Sequence, residues 1–258
     1  MKTQNQDINK SYFISDVHLG APDYEDSLAR EKRLVKWLIS IEHDAENLFI
    51  LGDIFDMWFD YKHVAPKGYI RLLGQLAKMS DAGIHIHYFI GNHDMWIFDY
   101  FEKEIGLKVY REPKEFTLSG VKILMGHGDG LGHGDWSYKF LKKIFASSIN
   151  QWLFARLHPN FALGIANYFS RRSRISNGNF EEHYEGDDNE ILVKYCKQAL
   201  KTEHYDYFIF GHRHIAMDIA VGKNSRYINL GEWVKDPHIG VFDGKKLELV
   251  KMTPASLE

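Results

Sequence analysis

The sequence predicts an α/β fold built on a mixed pair of sheets, and three observations carry that expectation. Short apolar runs recur, and several end in Gly plus a residue able to bind a ligand. Helical periodicities fill gaps between these runs. After Gly211 the pattern changes to short strands separated by turns. The 258 residues are 45% hydrophobic and 26% charged, a composition that can bury one sizeable core. No repeat, low-complexity tract or Pro-rich linker divides them, so one domain spanning 1–258 is expected.

Taken in order, Tyr12-Phe-Ile-Ser leads into Asp16-Val-His18-Leu-Gly20, and Leu48-Phe-Ile-Leu-Gly52 leads into Asp53. His85-Ile-His-Tyr-Phe-Ile90 leads into Gly91-Asn92-His93-Asp94. Val121–Met125 leads into Gly126-His127-Gly128-Asp129, and Tyr207–Phe210 into Gly211-His212-Arg213-His214. Runs of β-formers bounded by Gly read as buried strands. Leu28, Leu34, Val35, Leu38 and Ile41 share one helical face, as do Leu192, Tyr195, Cys196 and Ala199. Gly68 to Ser80 is a further helix, ending near Gly83. Alternating strands and helices imply a largely parallel sheet with ligands at the strands' carboxyl ends. Met217–Val221, Arg226–Leu230, Ile239–Phe242 and Lys246–Val250 read as an antiparallel tail, with Asp243-Gly244 as a hairpin turn.

Composition also excludes function classes. The formal charge of −3 leaves no global polycation to track a nucleic acid, so none is expected as a partner. A single cysteine, Cys196, rules out a disulfide framework and a Cys-rich zinc site, and it fits a reducing compartment. The polar N-terminus lacks the apolar core of a signal peptide. No apolar run nears the roughly 20 residues needed to span a bilayer. The expectation is a soluble protein of cytoplasmic type.

One segment departs from this pattern. Residues 136–175 contain no acid and seven bases, Lys139, Lys142, Lys143, Arg156, Arg171, Arg172 and Arg174, so the rest of the chain carries −10. Leu141, Phe145, Ile149 and Trp152 form one apolar helical stripe, and Phe161–Phe169 suggests a second helix. A helical insertion standing over the strand ends is expected, adjoining Asp129. Its bases can neutralise phosphate, and its apolar faces can host acyl chains or rest at an anionic membrane surface. The competing reading is that its aromatics only pack and its bases form a solvated face.

Five segments thus deliver oxygen or imidazole donors from strand ends: Asp16 and His18, Asp53, Asn92, His127, and His212 with His214. Singly each is a weak signal; together and in register they form the donor inventory of a pair of divalent ions of the Mn/Zn/Fe class. Such ions lie about 3.5–4 Å apart, supply a water-derived nucleophile near neutral pH and neutralise phosphoryl oxygens. His43, His63, His158, His183, His204 and His238 read as ordinary surface or packed histidines.

In their order, Asp16-x-His18, Gly52-Asp53-x-x-Asp56, Gly91-Asn92-His93-Asp94, Gly126-His127 and Gly211-His212-x-His214 resemble the calcineurin-like metallophosphoesterase superfamily. The resemblance implies a two-sheet mixed β-sandwich flanked by helices, with the insertion as a helical lid. It implies one metal on Asp16, His18, Asp53 and His214, and another on Asp53, Asn92, His127 and His212. Mn2+ is the expected ion, with Zn2+ and Fe2+ as alternatives. His93 would face the phosphate and stabilise transition-state charge, and Asp94 would orient His93. Asp56 and Asp129 are read as structural.

Within the superfamily the chain is most similar to the UDP-2,3-diacylglucosamine pyrophosphatases of lipid A biosynthesis, through Ser15–Gly20, Leu51–Phe59 and Met125–Asp129. That family places its lipid-binding lid where Asp135-Trp-Ser-Tyr138 begins the insertion. Asp135, Tyr138, Arg171, Arg172 and Arg174 are therefore the candidate contacts to a nucleotide-linked lipid. The implied location is the cytoplasm, with peripheral contact at the inner membrane. Two positions depart from that family's usual pattern: Gly134 replaces an Asp, and His93 stands where its best-known branch has Arg. Another nucleotide pyrophosphate or phosphoester remains the alternative substrate, and a non-catalytic scaffold the alternative class.

Overall fold

The computed structural model describes residues 9–132, 136–178, 184, 186 and 189–253, with residues 137 and 171–178 described in their backbone only. Among the described residues eleven strands form two sheets. The first has the order β11-β10-β1-β2-β3-β4, from Leu247–Lys251, His238–Phe242, Lys10–Ile14, Ala45–Leu51, His85–Phe89 and Lys108–Tyr110. The second has the order β5-β6-β7-β9-β8, from Lys114–Leu118, Val121–Met125, Tyr207–Phe210, Ser225–Leu230 and Ala216–Gly222.

Period-two geometry explains why the central strands read as unbroken apolar runs. Phe13, Phe49, Leu51 and Phe89 point between the sheets and meet Ile123, Met125, Ile209, Ile228 and Leu230. Their neighbours Tyr12, Ile14, Leu48, Ile50 and Tyr88 point the other way, onto helices α1 (Tyr24–Ile41) and α2 (Ile70–Asp81). The second sheet is likewise covered outside, where Phe208, Phe210 and Tyr227 meet Leu192, Val193 and Cys196 of α6 (Ile191–Ala199). Cys196 is buried, and burial pushes its thiol up, as expected of an inert packed cysteine.

The crossovers carry supports for the strand ends. Asp23 caps α1 by accepting from Asp26 N at 3.0 Å. Arg30 of α1 is buried and donates to the carbonyls of His18 and Ala21. Tyr69 gives α2 no side-chain cap, and Glu31 takes over by accepting from Arg71 N at 2.9 Å and Leu72 N at 3.2 Å.

Two expectations need correction, and two strands are additions to them. The tail is only partly antiparallel: β8 pairs antiparallel with β9, but β9 runs parallel to β7, while β10 and β11 return to the first sheet. Strands β4 and β5 were not foreseen, because β4 has only three residues and β5 is largely exposed, so neither carries an apolar run. The stripe Leu141–Trp152 belongs to two helices, α3 (Trp136–Ala146) and α4 (Ser148–Ala155), followed by α5 (Pro159–Gly178). Ser147, extended at ψ 123°, breaks the periodicity between them.

The face-to-face pair Phe13 and Phe49 has ring centroids 5.0 Å apart at the centre of the sandwich. Phe13→Ala should lower the unfolding free energy by about 3–5 kcal/mol. Urea denaturation followed by tryptophan fluorescence measures this directly.

Candidate metal centre

Backbone strain marks the candidate ligands. Asp16, His18, Asp53, His212 and His214 all have φ between 51° and 69°, the left-handed region that costs non-glycine residues of order 1–3 kcal/mol each. Neighbouring strand ends hold these residues there. Asp16 N and His18 N donate to Gly52 O and Asp53 O at 3.0 and 2.9 Å, and Trp233 N donates to Asp16 O at 3.0 Å. Arg213, between the two histidines, makes a forked pair with buried Glu190 at 3.0 Å, which fixes the loop from the α6 side.

Glycine is required at two close approaches. A Cβ on Gly91 would overlap the Asp53 carboxylate, and one on Gly211 would overlap that of Asp16. Asn229 is a polar residue in an apolar strand, fully buried, and it secures the second approach by donating to Gly211 O while accepting from Gly231 N.

Four donors converge in one group: Asp16, His18, Asp53 and His214 present atoms within 4.8 Å of one another. His18 Nε2 lies 3.2 Å from His214 Nε2, and His214 Nε2 lies 3.3 Å from Asp16 Oδ1. Beside them, His127 Nε2 is 3.4 Å from Asp53 Oδ2 and 3.1 Å from Asn92 Oδ1, which also faces His212 Nδ1 at 3.0 Å. Asp53 adjoins both groups. His127 Nδ1 donates to Leu51 O at 2.8 Å, so its Nε2 is the nitrogen left for a ligand. Imidazole lone pairs, an amide oxygen and buried carboxylates meeting this closely repel unless a cation or protons intervene. The donor chemistry therefore fits a pair of divalent ions, which would supply a nucleophile from water and offset phosphoryl charge.

Titration follows the same logic. Burial alone would raise Asp53, but the charges of His127, His93 and His18 hold its carboxyl well below the usual range. Burial alone would lower His127, but Asp53 and Asp16 raise it well above an ordinary imidazole. Burial, with the charge on His127, brings His212 down to about 4, which keeps it neutral and ready to ligate.

His93 and Asp94 are not joined as expected. The Asp94 carboxylate accepts from Gly91 N at 2.7 Å, Ile54 N at 3.0 Å and Tyr88 OH at 2.5 Å, and among the described residues no hydrogen bond runs from it to His93. Burial and the charge on Asp53 raise Asp94 to about 6. Its placement clamps the Asp53 and Gly91 loops rather than the imidazole. His93 Nδ1 instead lies 3.0 Å from Asp56 O and 3.0 Å from Ser170 Oγ, and its backbone N donates to Asp53 Oδ1 at 2.8 Å. A carbonyl only accepts, so Nδ1 carries the hydrogen and Nε2 remains as the nitrogen that exchanges a proton.

The insertion docks over the site at several points. Tyr138 OH donates to Asp129 Oδ2 at 2.7 Å, Lys142 pairs with the same carboxylate at 2.7 Å, and the Tyr138 ring lies 6.0 Å from that of His212. Trp96 Nε1 donates to Phe145 O, and Phe59 and Trp96 pack on Phe154. Asp129, read from sequence as structural, is thus the anchor of α3. Asp135 and the side chains of Arg171, Arg172 and Arg174 lie outside the described residues, as does His183. Ser170 and Asn229 were not foreseen: a buried Asn within an apolar strand is a readable signal, whereas Ser170 follows an apolar helix face without any mark.

Because His127 holds a proton that an ion must displace, metal affinity should rise with pH, by about tenfold per unit for one proton released. Mn2+ titration followed by electron paramagnetic resonance at pH 6, 7 and 8 checks the slope. Gly91→Ala should reduce Mn2+ bound per chain to less than half without unfolding the protein, as read by elemental analysis and circular dichroism.

A family model described as calcineurin-like phosphoesterase matches residues 10–216. A UDP-2,3-diacylglucosamine hydrolase of Porphyromonas gingivalis is 37% identical over 95% of this chain and 98% of its own. One from a Shewanella species is 27% identical over 87% of this chain and 89% of its own. Among solved structures, an archaeal phosphodiesterase aligns with 94% of this chain and 99% of its own at 13% identity and a TM-score of 0.47. With its metal-type donors, the family model over residues 10–216 and a 37% identical relative over 95% of its length, the chain belongs to the calcineurin-like phosphoesterase family and is a metal-dependent hydrolase.

Proposed function

We propose that the enzyme hydrolyses the pyrophosphate of UDP-2,3-diacylglucosamine, giving UMP and 2,3-diacylglucosamine 1-phosphate. Asp16, His18, Asp53 and His214 would hold one ion, and Asp53, Asn92, His127 and His212 the other, with Mn2+ as the expected metal. The supporting observation is where the apolar surface lies. The insertion beside the donor cluster leaves Trp136 79%, Phe140 67%, Ile149 69% and Phe161 60% exposed, and 13 of the 20 exposed large hydrophobic residues among those described lie on it. Helices with such faces suit acyl chains or a lipid surface better than water. The relatives' activity and near-complete coverage point to the same substrate.

The residues divide the work by chemistry. When bound, the two ions supply the nucleophile from water and withdraw phosphoryl charge. His93, its Nδ1–H held by the Asp56 carbonyl, would in its doubly protonated form offer Nε2–H to the phosphoryl oxygens as charge builds and pass that proton to the departing phosphate. Water adds to phosphorus, the P–O–P bridge breaks, and the leaving phosphate carries away the electron pair. Lys142 and Tyr138, both on Asp129, hold α3 against the His212 side. Arg171, Arg172 and Arg174 lie on α5, where their charge would answer the pyrophosphate. The apolar faces would also seat the protein peripherally on the anionic inner face of the membrane. Among the described residues no helix is long and apolar enough to cross one.

Phosphorus NMR with Mn2+ tests the reading on UDP-2,3-diacylglucosamine, with UDP-N-acetylglucosamine and ADP-ribose in parallel. Metal-dependent UMP release from the lipid alone is expected; turnover of only the soluble compounds refutes the substrate. Phe161→Ser should raise KM for the diacylated substrate by roughly tenfold, the equivalent of one lost apolar contact. Its turnover of bis(p-nitrophenyl) phosphate should stay within twofold.

A further inference from the structure

Ser170 sits on α5, the last helix of the insertion, half-buried, 77 positions from His93 in sequence, yet its hydroxyl meets the imidazole. The Oγ lies 2.9 Å from Asp56 Oδ2, 3.0 Å from Asp56 O and 3.0 Å from His93 Nδ1. A hydroxyl has one hydrogen to give. Asp56 offers only acceptors, so the hydroxyl donates to Asp56 and accepts from the imidazole N–H. The contact is directional: it specifies a tautomer and a ring orientation, which apolar packing would not.

Holding the insertion in place does not require this serine. Tyr138 and Lys142 bind Asp129, Trp96 binds the Phe145 carbonyl, and Phe154 packs on Phe59 and Trp96. Those contacts touch the body at other points and leave the imidazole alone. We propose that Ser170 is a positioning residue through which the lid sets His93, so that a correctly seated lid and a correctly aimed imidazole are one event. The inference rests on His93 acting at the phosphoryl group as proposed above. With the hydroxyl removed, Nδ1–H keeps the Asp56 carbonyl but loses its second acceptor, and the ring gains freedom while the lid remains docked. The effect falls on the chemical step more than on substrate capture.

The test compares Ser170→Ala, Ser170→Thr and Ser170→Cys in the full chain loaded with Mn2+, alone and combined with His93→Gln. Ser170→Ala should lower kcat on the diacylated substrate about tenfold, part of the range for an acid–base group, with KM changed less than about threefold. Ser170→Thr, which keeps the hydroxyl, should restore kcat to within about threefold, and Ser170→Cys, with a weaker hydrogen bond, should fall between. In the His93→Gln background Ser170→Ala should cost nothing further, since both act through one group. NMR of histidine-labelled protein should show the His93 ring signals shifted by Ser170→Ala and those of His87 unmoved. Should alanine unsettle α5, the Thr and Cys variants still decide the order. A silent Ser170→Ala, or one whose loss adds fully to that of His93→Gln, overturns the inference alone. A His93→Gln variant with full kcat overturns the role of His93 first, and this inference with it.

Discussion

The structure turns on the Asp53 carboxylate, an anion placed where water does not reach. It is 1% exposed, beside Asp16 at 0%, at the carboxyl ends of strands that finish in the buried runs Tyr12–Ile14 and Leu48–Leu51. A buried carboxylate is tolerable only with opposite charge or several hydrogen bonds. Asp53 draws these from His93 N and the imidazole of His127, and it adjoins both donor groups, a position fit for a carboxylate shared by two ions. Gly91 has no side chain because Asp53 occupies that space. Asp94 spends its own carboxylate bracing the two loops around it. The left-handed backbone at five ligand positions is the geometric consequence of aiming side chains from several strand ends at one point.

The insertion follows a different rule. Its helices dock through a few polar contacts and one aromatic cluster, and α4 buries no residue at all. A helix that covers a site but keeps its own outer face apolar is poorly adapted to water and well adapted to a lipid. The two attachments divide the roof. Asp129 holds α3 beside His212, and Asp56 holds α5 beside His93. Both are acids of the loops that also carry ligands, so roof and floor share their supports.

Much of this was legible in the sequence, and the reason is physical. Apolar runs buried on both faces, punctuated by Gly and a donor residue, can only be central strands feeding a site, and β1, β2, β3, β6 and β7 all appear where such runs stand. The seven donor positions were readable as a set because each follows such a run, and the structure brings their side chains together at the strand ends. Legibility failed where the determinant is three-dimensional. Strands β4 and β5 exist because a neighbour offers a ladder, a fact absent from their own composition. The break at Ser147 does not disturb the apolar stripe, so periodicity alone extended one helix through it. Asp94 follows His93 directly, and adjacency suggested a pair; the backbone turn sends the carboxylate toward Gly91 and Ile54 instead. Asp56 and Asp129, read from sequence as structural, meet the roof as well as their own loops.

Position 93 shows why such third-dimension contacts carry chemistry. An arginine there would be permanently charged, forked and self-sufficient as a phosphate donor. A histidine is smaller, and useful only if its proton sits on the right nitrogen and its ring points the right way. This chain has the histidine, and it supplies what histidine lacks: the Asp56 carbonyl fixes Nδ1–H from the body, and Ser170 meets the same nitrogen from the lid. Exchanging a long cation for an imidazole thus moves the burden of orientation from the side chain to its surroundings. Those surroundings include a helix that exposes Phe161, Tyr168 and Phe169, the last two 58% and 61% exposed just before Ser170. The residues that would greet an acyl chain and the residue that fixes the imidazole therefore occupy consecutive positions on one helix, where a movement of one is a movement of the other.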